Sequence, residues 1–288
     1  GSWLPYVLTN WFGISNQPSE TSAVPLNLIY SFIIGALILV ASILVTVLTT
    51  KEYSPEELEQ FRDEKEHKEA IGETKEAKLS DVFTDFAKMP ETMRQLSWVQ
   101  FFSWFGLFGM WVFTTPAIAQ HIYGLSVNDT KSPEYQSAGD WVGIIFGVYN
   151  AVSAVVAFAL PYIAKQIGRR KTHALSLVLG GIGLISVYFM PNKEALIFSM
   201  ILVGFAWASI LAMPYAILAG SIQPKKMGVY MGIFNFFIVI PQIINALIGG
   251  PLVKYVYNDH AIYAIVMSGV SFLLAALLVL KVKDQKDI

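Results

Sequence analysis

The sequence predicts an all-α polytopic membrane protein with seven transmembrane helices, and three observations support this fold class. First, 55% of the 288 residues are hydrophobic and only 14% are charged, whereas soluble domains contain about 25% charged residues. Second, seven uncharged apolar segments are each long enough to cross a bilayer as a helix. Third, lysine and arginine collect in alternate loops between these segments, as membrane topology requires.

The seven predicted spans lie at residues 26–50, 96–120, 141–164, 174–190, 195–220, 227–253 and 261–280. The first 25 residues are too short and interrupted to cross a membrane, and we interpret them as the tail of a span that begins outside this sequence. Residues 51–95 form a large hydrophilic segment with a helix-capping sequence at Ser54-Pro55-Glu56-Glu57. Apolar residues at 79, 82, 83, 86 and 89 predict a helix on the membrane surface; the alternative is a solvated linker.

The basic residues predict the orientation of the chain. If 51–95 is cytoplasmic, 17 of the 20 lysine and arginine residues lie on that side. The positive-inside rule then places the N-terminus of this chain outside and its C-terminus in the cytoplasm, and the expected location is the plasma (inner) membrane. The formal net charge of −1 gives no electrostatic field that would attract nucleic acid. The expected partner is the lipid bilayer, because the predicted spans are apolar.

The second predicted span is rich in aromatic residues. Gln100, Trp104, Phe108, Trp111 and Thr115 recur on one helical face. An aromatic ring that faces a cavity can stack on the apolar face of a sugar, while nearby hydroxyls and amides bind its oxygens. Trp111, Thr114 and Thr115 lie deep enough in the span for a central binding site. The alternative is that most of these rings pack against other helices or face lipid.

The sixth predicted span carries polar residues that lipid does not favour. Asn235, Gln242 and Asn245 share one helical face with Gly228. Pro241 removes a backbone hydrogen bond, which is tolerated only against protein or a wet cavity. We therefore expect this face to line a polar path, with the three amides as substrate-binding residues. The alternative is that the amides join neighbouring helices.

The third and fifth predicted spans contribute three further candidates. Asn150 lies on a face with small residues, where it would bind substrate or form a hydrogen bond between helices. In the fifth span, Trp207 and Tyr215 are candidate substrate contacts, and Pro214 predicts a kink that would let the helix bend as a gate.

None of the seven predicted spans contains Asp, Glu, Lys, Arg or His. Because intramembrane ionisable groups usually mark ion paths, we expect any coupling acid to lie outside this chain. The last span lacks the lysine of a retinal protein, while a seven-span receptor stays an alternative. The four histidines are scattered, cysteine is absent, and no catalytic triad, phosphate loop or paired carboxylates appear. We therefore expect neither enzyme activity nor a metal or other cofactor.

Several motifs resemble one transporter family. The basic turn Gly168-Arg169-Arg170-Lys171 resembles the cytoplasmic loop motif of the major facilitator superfamily, although positive-inside charge also accounts for it. The glycine, amide and proline pattern of residues 228–242 resembles the eleventh span of sucrose–proton symporters. Residues 104–124 resemble their seventh span, and 214–217 are similar to their tenth. Thr114 and Pro116 stand where plant members carry acids, which leaves the sugar open.

The resemblance implies the C-terminal six-helix bundle of a major facilitator superfamily transporter. Residues 1–50 would be a remnant of the N-terminal bundle (the tail of its fifth span, and its sixth span), 51–95 the cytoplasmic central loop, and 96–288 the C-terminal bundle with a short cytoplasmic tail. The implied activity is symport of a disaccharide or glycoside with a cation, the proton being expected and sodium left open, by alternating access. The missing N-terminal bundle is then a partner. The alternatives are a non-transporting sugar sensor, a receptor-like seven-span protein, or a drug exporter of the same fold.

Overall fold

The computed structural model describes residues 3–19, 22, 24–50, 86, 88–222 and 227–284. Within these residues the chain forms α1 (Leu4–Asn10), α2 (Leu26–Thr49), α3 (Glu91–His121), α4 (Pro133–Ile167), α5 (Arg169–Ser186), α6 (Leu196–Ala219), α7 (Met227–Pro251) and α8 (Ile262–Val279). A short 3-10 helix, Val187–Phe189, extends α5, and a π-helical turn, Leu252–Val256, extends α7. The predicted capping sequence at 54–57, and nearly all of the predicted central loop and surface helix, lie outside the described residues.

The predicted all-α fold with seven membrane-spanning helices is confirmed. Seven of the helices, α2 to α8 with their extensions, are long and apolar enough to cross a membrane. They match the seven predicted segments one to one, and the described part of the chain contains an isolated bridge between Ser19 and Ser22 but no β-strand.

Three helices begin earlier than predicted. α3 begins at Glu91, α4 at Pro133 and α5 at Arg169. The predicted spans began only after the last ionisable residue, whereas helical hydrogen bonding does not depend on charge. At α4 the cause is local, because the Ser132 hydroxyl accepts a hydrogen bond from the Tyr135 backbone N–H at 3.1 Å and Pro133 occupies the first helical position.

Helices α3, α5, α6 and α8 form the centre of the bundle, with half or more of their spanning segments buried. α8 packs against both α3 and α5, and α6 packs against α4 and α5. Where α5 crosses α8, Gly181 and Gly269 face each other, and a Cβ built on either glycine would lie within 3 Å of the other's carbonyl oxygen. Small residues at the crossing allow the two backbones this close approach.

Helices α4 and α7 are less enclosed, because less than a third of each spanning segment is buried. Both pack against α3, yet they make no extensive contact with each other. The open face denotes the partly or fully accessible candidate residues of α3, α4, α6 and α7, namely Trp111, Thr115, Asn150, Trp207, Tyr215, Asn235 and Gln242.

The N-terminal segment touches the bundle at one end. α1 packs against α2 and α4, and the Trp3 indole donates a hydrogen bond to the Ile144 carbonyl at 2.9 Å. α2 is otherwise mostly exposed, and Asn27 is its buried residue. The end of the bundle that carries residues 122–132 and 257–261 is called the outer end, since the sequence predicts that it faces outward. The opposite end is the inner end.

Candidate functional site

An aromatic cluster joins three helices at the open face. The indole rings of Trp111 on α3 and Trp207 on α6 meet edge to face, with centroids 5.7 Å apart. Trp104 lies 6.2 Å from Trp207 and 6.3 Å from Trp111. Tyr149 on α4 lies 6.3 Å from Trp207, again edge to face. The structure therefore brings the predicted residues Trp111 and Trp207 together.

Tyr149 belongs to this cluster, although the sequence pointed to its neighbour Asn150. The Trp111 indole N–H donates a hydrogen bond to the Tyr149 hydroxyl at 3.2 Å. Tyr149 is buried, whereas Asn150 is exposed and its amide donates to the Phe146 carbonyl of the same helix at 2.8 Å. Val142 and Tyr149 are both buried and lie seven residues apart, which is about two helical turns. This apolar spacing is the sequence signal that places Tyr149 on the buried face of α4.

The two predicted threonines of α3 differ in their surroundings. Thr114 is buried, and its hydroxyl donates a hydrogen bond to the Met110 carbonyl one turn earlier. Thr115 is half-buried, and a Cβ built on Gly139 of α4 would lie 3.9 Å from its methyl group. Thr115 thus lies next to α4, while the Thr114 donor is already used by its own helix.

The three predicted amides of α7 also differ. Asn235 is exposed. Gln242 is half-buried, and its Nε2 donates to the Ile238 carbonyl at 3.0 Å, while no described residue donates to its Oε1. Asn245 is only 1% exposed, and its Nδ2 donates to the Phe105 carbonyl of α3 at 3.0 Å. Asn245 therefore joins α7 to α3, and its role in substrate binding stays a prediction.

Tyr215 connects α6 to α7. Its ring is half-buried and meets Phe234 of α7 edge to face, with centroids 5.6 Å apart. This pair is a second aromatic contact between helices, two turns along α6 from Trp207.

Two buried polar side chains of α3, Gln100 and Ser103, lie within one turn of Trp104 in the cluster. Gln100 is fully buried, and neither its Oε1 nor its Nε2 has a hydrogen-bond partner among the described residues. The same holds for the Ser103 hydroxyl and for the Trp104 indole N–H. Gln100 shares the predicted stripe with Trp104, and a buried amide without a partner costs free energy. The sequence placed Gln100 and Trp104 on this stripe but did not single out Ser103.

One histidine lies inside the helical bundle. His173 belongs to α5 and is fully buried, and its Nδ1 lies 2.8 Å from the Ser209 hydroxyl of α6. The predicted spans placed it just before a helix, because they ended at ionisable residues. The described residues contain no group of three or more His, Cys, Asp or Glu side chains placed to hold a metal.

The basic turn at the inner end joins three parts of the bundle. Arg169 donates to the Ala216 carbonyl of α6 at 2.7 Å, and Arg170 donates to the Val282 carbonyl after α8 at 2.9 Å. Cations stabilise the carbonyl ends of helices because these ends carry partial negative charge. Gly168 links α4 to α5 with φ of 87° and ψ of 155°, and Lys171 is exposed.

We expect Gly168→Ala to destabilise the bundle by about 1–3 kcal/mol, since this backbone conformation is essentially restricted to glycine. Thermal unfolding of the detergent-solubilised protein measures the effect. The matched control is Gly232→Ala in α7, where an added Cβ has no neighbour within 4 Å. An unchanged midpoint for Gly168→Ala, or an equal loss in both variants, would contradict the assigned conformation.

The sequence matches a family model described as the Major Facilitator Superfamily over residues 130–287, which is more than half of the chain. Sucrose transport protein SUC4 of Arabidopsis thaliana is 26% identical over 206 residues, which cover 64% of this chain and 40% of that protein. SUC3 of the same plant is 24% identical over 197 residues, covering 60% and 33%. Sucrose transport protein SUT2 of Oryza sativa subsp. indica is 24% identical over 245 residues, covering 78% and 48%. The chain spans less than half the length of each of these relatives.

Proposed function

The chain belongs to the major facilitator superfamily, and from this we propose that it supplies the sugar-contacting bundle of a cation-coupled sugar symporter. The family and its sucrose transport relatives indicate an integral membrane transporter rather than an enzyme. The proposed substrate is a disaccharide or glycoside, since the relatives are named as sucrose transport proteins. The proposed coupling ion is a cation, with the proton as the first choice.

The observation that carries this proposal is the aromatic cluster at the open face. Trp111 and Trp207 are half-buried, so part of each ring is accessible. Sugar rings expose C–H groups on one face, which pack against indole rings, while their hydroxyls need polar partners close by. The exposed amides of Asn150 and Asn235, together with the Oε1 of Gln242, offer such partners on the helices that flank the cluster.

The predicted substrate-binding residues have different capacities for this task. Thr114 and Asn245 already donate to backbone carbonyls and are buried, so we propose that they position α3 and α7. Thr115, Asn150, Asn235 and Gln242 are at least partly accessible, and we assign them to sugar contact with Trp111, Trp207 and Tyr215. This assignment divides the predicted set into residues that hold the helices and residues that meet the substrate.

We infer that a second helical bundle packs against the open face. α4 and α7 each bury less than a third of their spanning segment and make no extensive contact with each other, and α2 has little contact with the other long helices. We propose that an N-terminal bundle, of which α1 and α2 are part, covers the open face and rocks against it to give alternating access from the two sides of the membrane. The proposed orientation has the N-terminus of this chain outside and its C-terminus in the cytoplasm, in the plasma membrane.

We expect Gln242→Leu to reduce the rate of sugar uptake by the intact transporter up to about tenfold, because one hydrogen bond is worth about 0.5–1.5 kcal/mol. Uptake of radiolabelled disaccharide into cells, normalised to the amount of transporter in the membrane, measures this effect. The matched control is Gln166→Leu at the inner end of α4, where the glutamine is exposed. Unchanged uptake by the Gln242 variant would remove Gln242 from the site.

A further inference from the structure

A carboxylate lies inside a spanning helix at the outer end of the bundle. Asp140 belongs to α4, two turns after the helix begins, and is half-buried. The sequence predicted that any coupling acid lies outside this chain, because the third predicted span began at 141. The helix in fact begins at Pro133, so Asp140 is part of it. Ionisable groups within transmembrane helices are rare and often mark an ion path.

The partner of Asp140 is a neutral amide. The Asn16 Nδ2 donates a hydrogen bond to the Asp140 Oδ2 at 2.9 Å, and Asp140 forms no ion pair with a lysine, arginine or histidine of the described chain. The nearby Lys193 directs its Nζ to the Trp141 ring, 5.1 Å from the centroid. On the neighbouring loops, burial and then the negative charges of Glu194 and Asp140 raise the pKa of Tyr123. The surroundings of Asp140 therefore favour an added cation.

A cavity of about 150 Å³ adjoins this carboxylate. Gln136, Gly139, Asp140 and Gly143 line it from α4, and Pro5, Asn27 and Leu28 line it from the N-terminal segment. Asn27 is only 1% exposed, and its Nδ2 donates to the Thr9 hydroxyl at 3.0 Å. Its Oδ1 has no hydrogen-bond donor among the described residues. Asn27 and Asp140 line the same cavity, and a buried acceptor oxygen without a donor there is a free ligand for a cation.

We propose that this cavity is the site of the coupling cation, with the Asp140 carboxylate as its charged ligand and the Asn27 amide oxygen as a neutral one. The site takes a hard monovalent cation, either Na⁺ bound by oxygens or a proton carried on the carboxyl group. This inference rests on the proposed symport and names the group that couples it. The proposed coupling acid is therefore Asp140 of this chain, whereas the sequence predicted a coupling acid outside it.

The position of the site links cation binding to the transport cycle. Asn16 and Asn27 belong to the N-terminal segment, whereas Asp140 and Gln136 belong to the bundle, so the oxygens come from both sides of one seam. Alternating access moves the two sides of this seam against each other. A cation held by oxygens from both sides is bound most tightly when the outer end is closed, and it therefore stabilises that state.

The test uses Asp140→Asn in the intact transporter, reconstituted in vesicles with an imposed sodium or proton gradient. We expect the variant to lose accumulation of sugar against its gradient while it keeps sugar exchange at equilibrium. Whichever gradient drives the unmodified protein identifies the cation. The matched control is Glu134→Gln, an exposed acid in the first turn of the same helix, which should accumulate sugar normally.

The outcomes separate this inference from the proposed function. If the unmodified protein moves no sugar, the proposed function fails. If Asp140→Asn accumulates sugar as the unmodified protein does, or loses exchange together with accumulation although it is folded, the cation site is wrong and the transport function stands.

A second variant adds charge instead of removing it. Asn16→Asp places two carboxylates within hydrogen-bond distance, which raises their affinity for a shared cation or proton. We expect half-maximal uptake at a proton or sodium concentration at least about tenfold lower, which corresponds to a shift of one pKa unit or 1.36 kcal/mol. An unchanged cation dependence in this variant would overturn the proposal even if Asp140→Asn did not fold.

Discussion

Gly269→Leu is expected to prevent stable assembly of the bundle. A Cβ added at Gly269 would lie 2.7 Å from the Gly181 carbonyl oxygen and 3.1 Å from the Ile185 backbone nitrogen. Because both neighbours are backbone atoms of α5, they cannot move aside without separating α5 from α8. Overpacking of a core costs about 1–3 kcal/mol and occasionally more, and a leucine at a backbone crossing belongs to the upper end of that range.

The yield of monodisperse protein after size-exclusion chromatography in detergent, with its thermal midpoint, measures this effect. The matched control is Gly35→Leu on α2, where an added Cβ has no neighbour within 4 Å. We expect the control to purify as the unmodified protein does. A Gly269→Leu protein with normal yield and midpoint would mean that α5 and α8 do not cross at these glycines.

Trp111→Ala is expected to raise the sugar concentration for half-maximal uptake about tenfold, which corresponds to a loss of about 1.4 kcal/mol of binding free energy. The substitution removes the ring proposed to stack on the sugar and also the donor to the Tyr149 hydroxyl. Trp207 and Tyr149 would then lose their shared neighbour, so the remaining cluster would hold the sugar less firmly.

Initial uptake rates over a range of sugar concentrations measure this prediction. Trp98→Ala is the matched control, because Trp98 belongs to the same helix but is 57% exposed and contacts Phe101 outside the cluster. Equal effects of the two substitutions would show that both tryptophans stabilise α3 and that Trp111 has no particular role in sugar binding. An unchanged half-saturating concentration in Trp111→Ala would remove the cluster from the sugar site.

The sequence was sufficient to locate the seven spans, because uninterrupted apolar length is a local property. It misplaced the beginnings of α3, α4 and α5, since each predicted span began only after the last ionisable residue. The signals for the true start of α4, a capping serine at 132 and proline at 133, are local and readable in the sequence. These two signals place Asp140 inside the helix.

Contacts between helices were not predictable in the same way. The sequence indicated an amide face on α7, but it left open whether Asn245 meets substrate or another helix. That choice depends on how closely α7 approaches α3, where Asn245 reaches the Phe105 carbonyl. Tyr149 and the Gly181–Gly269 crossing likewise depend on residues far apart in the chain. Such pairs follow from the packing of whole helices, which periodicity alone does not specify.

The most direct test of the account is sugar accumulation by the intact transporter in proteoliposomes with an imposed proton or sodium gradient. The account predicts saturable accumulation of a radiolabelled disaccharide or glycoside above its external concentration, which collapses when an ionophore dissipates the gradient. Export of a hydrophobic dye without sugar accumulation, or specific sugar binding without any movement across the membrane, would contradict it.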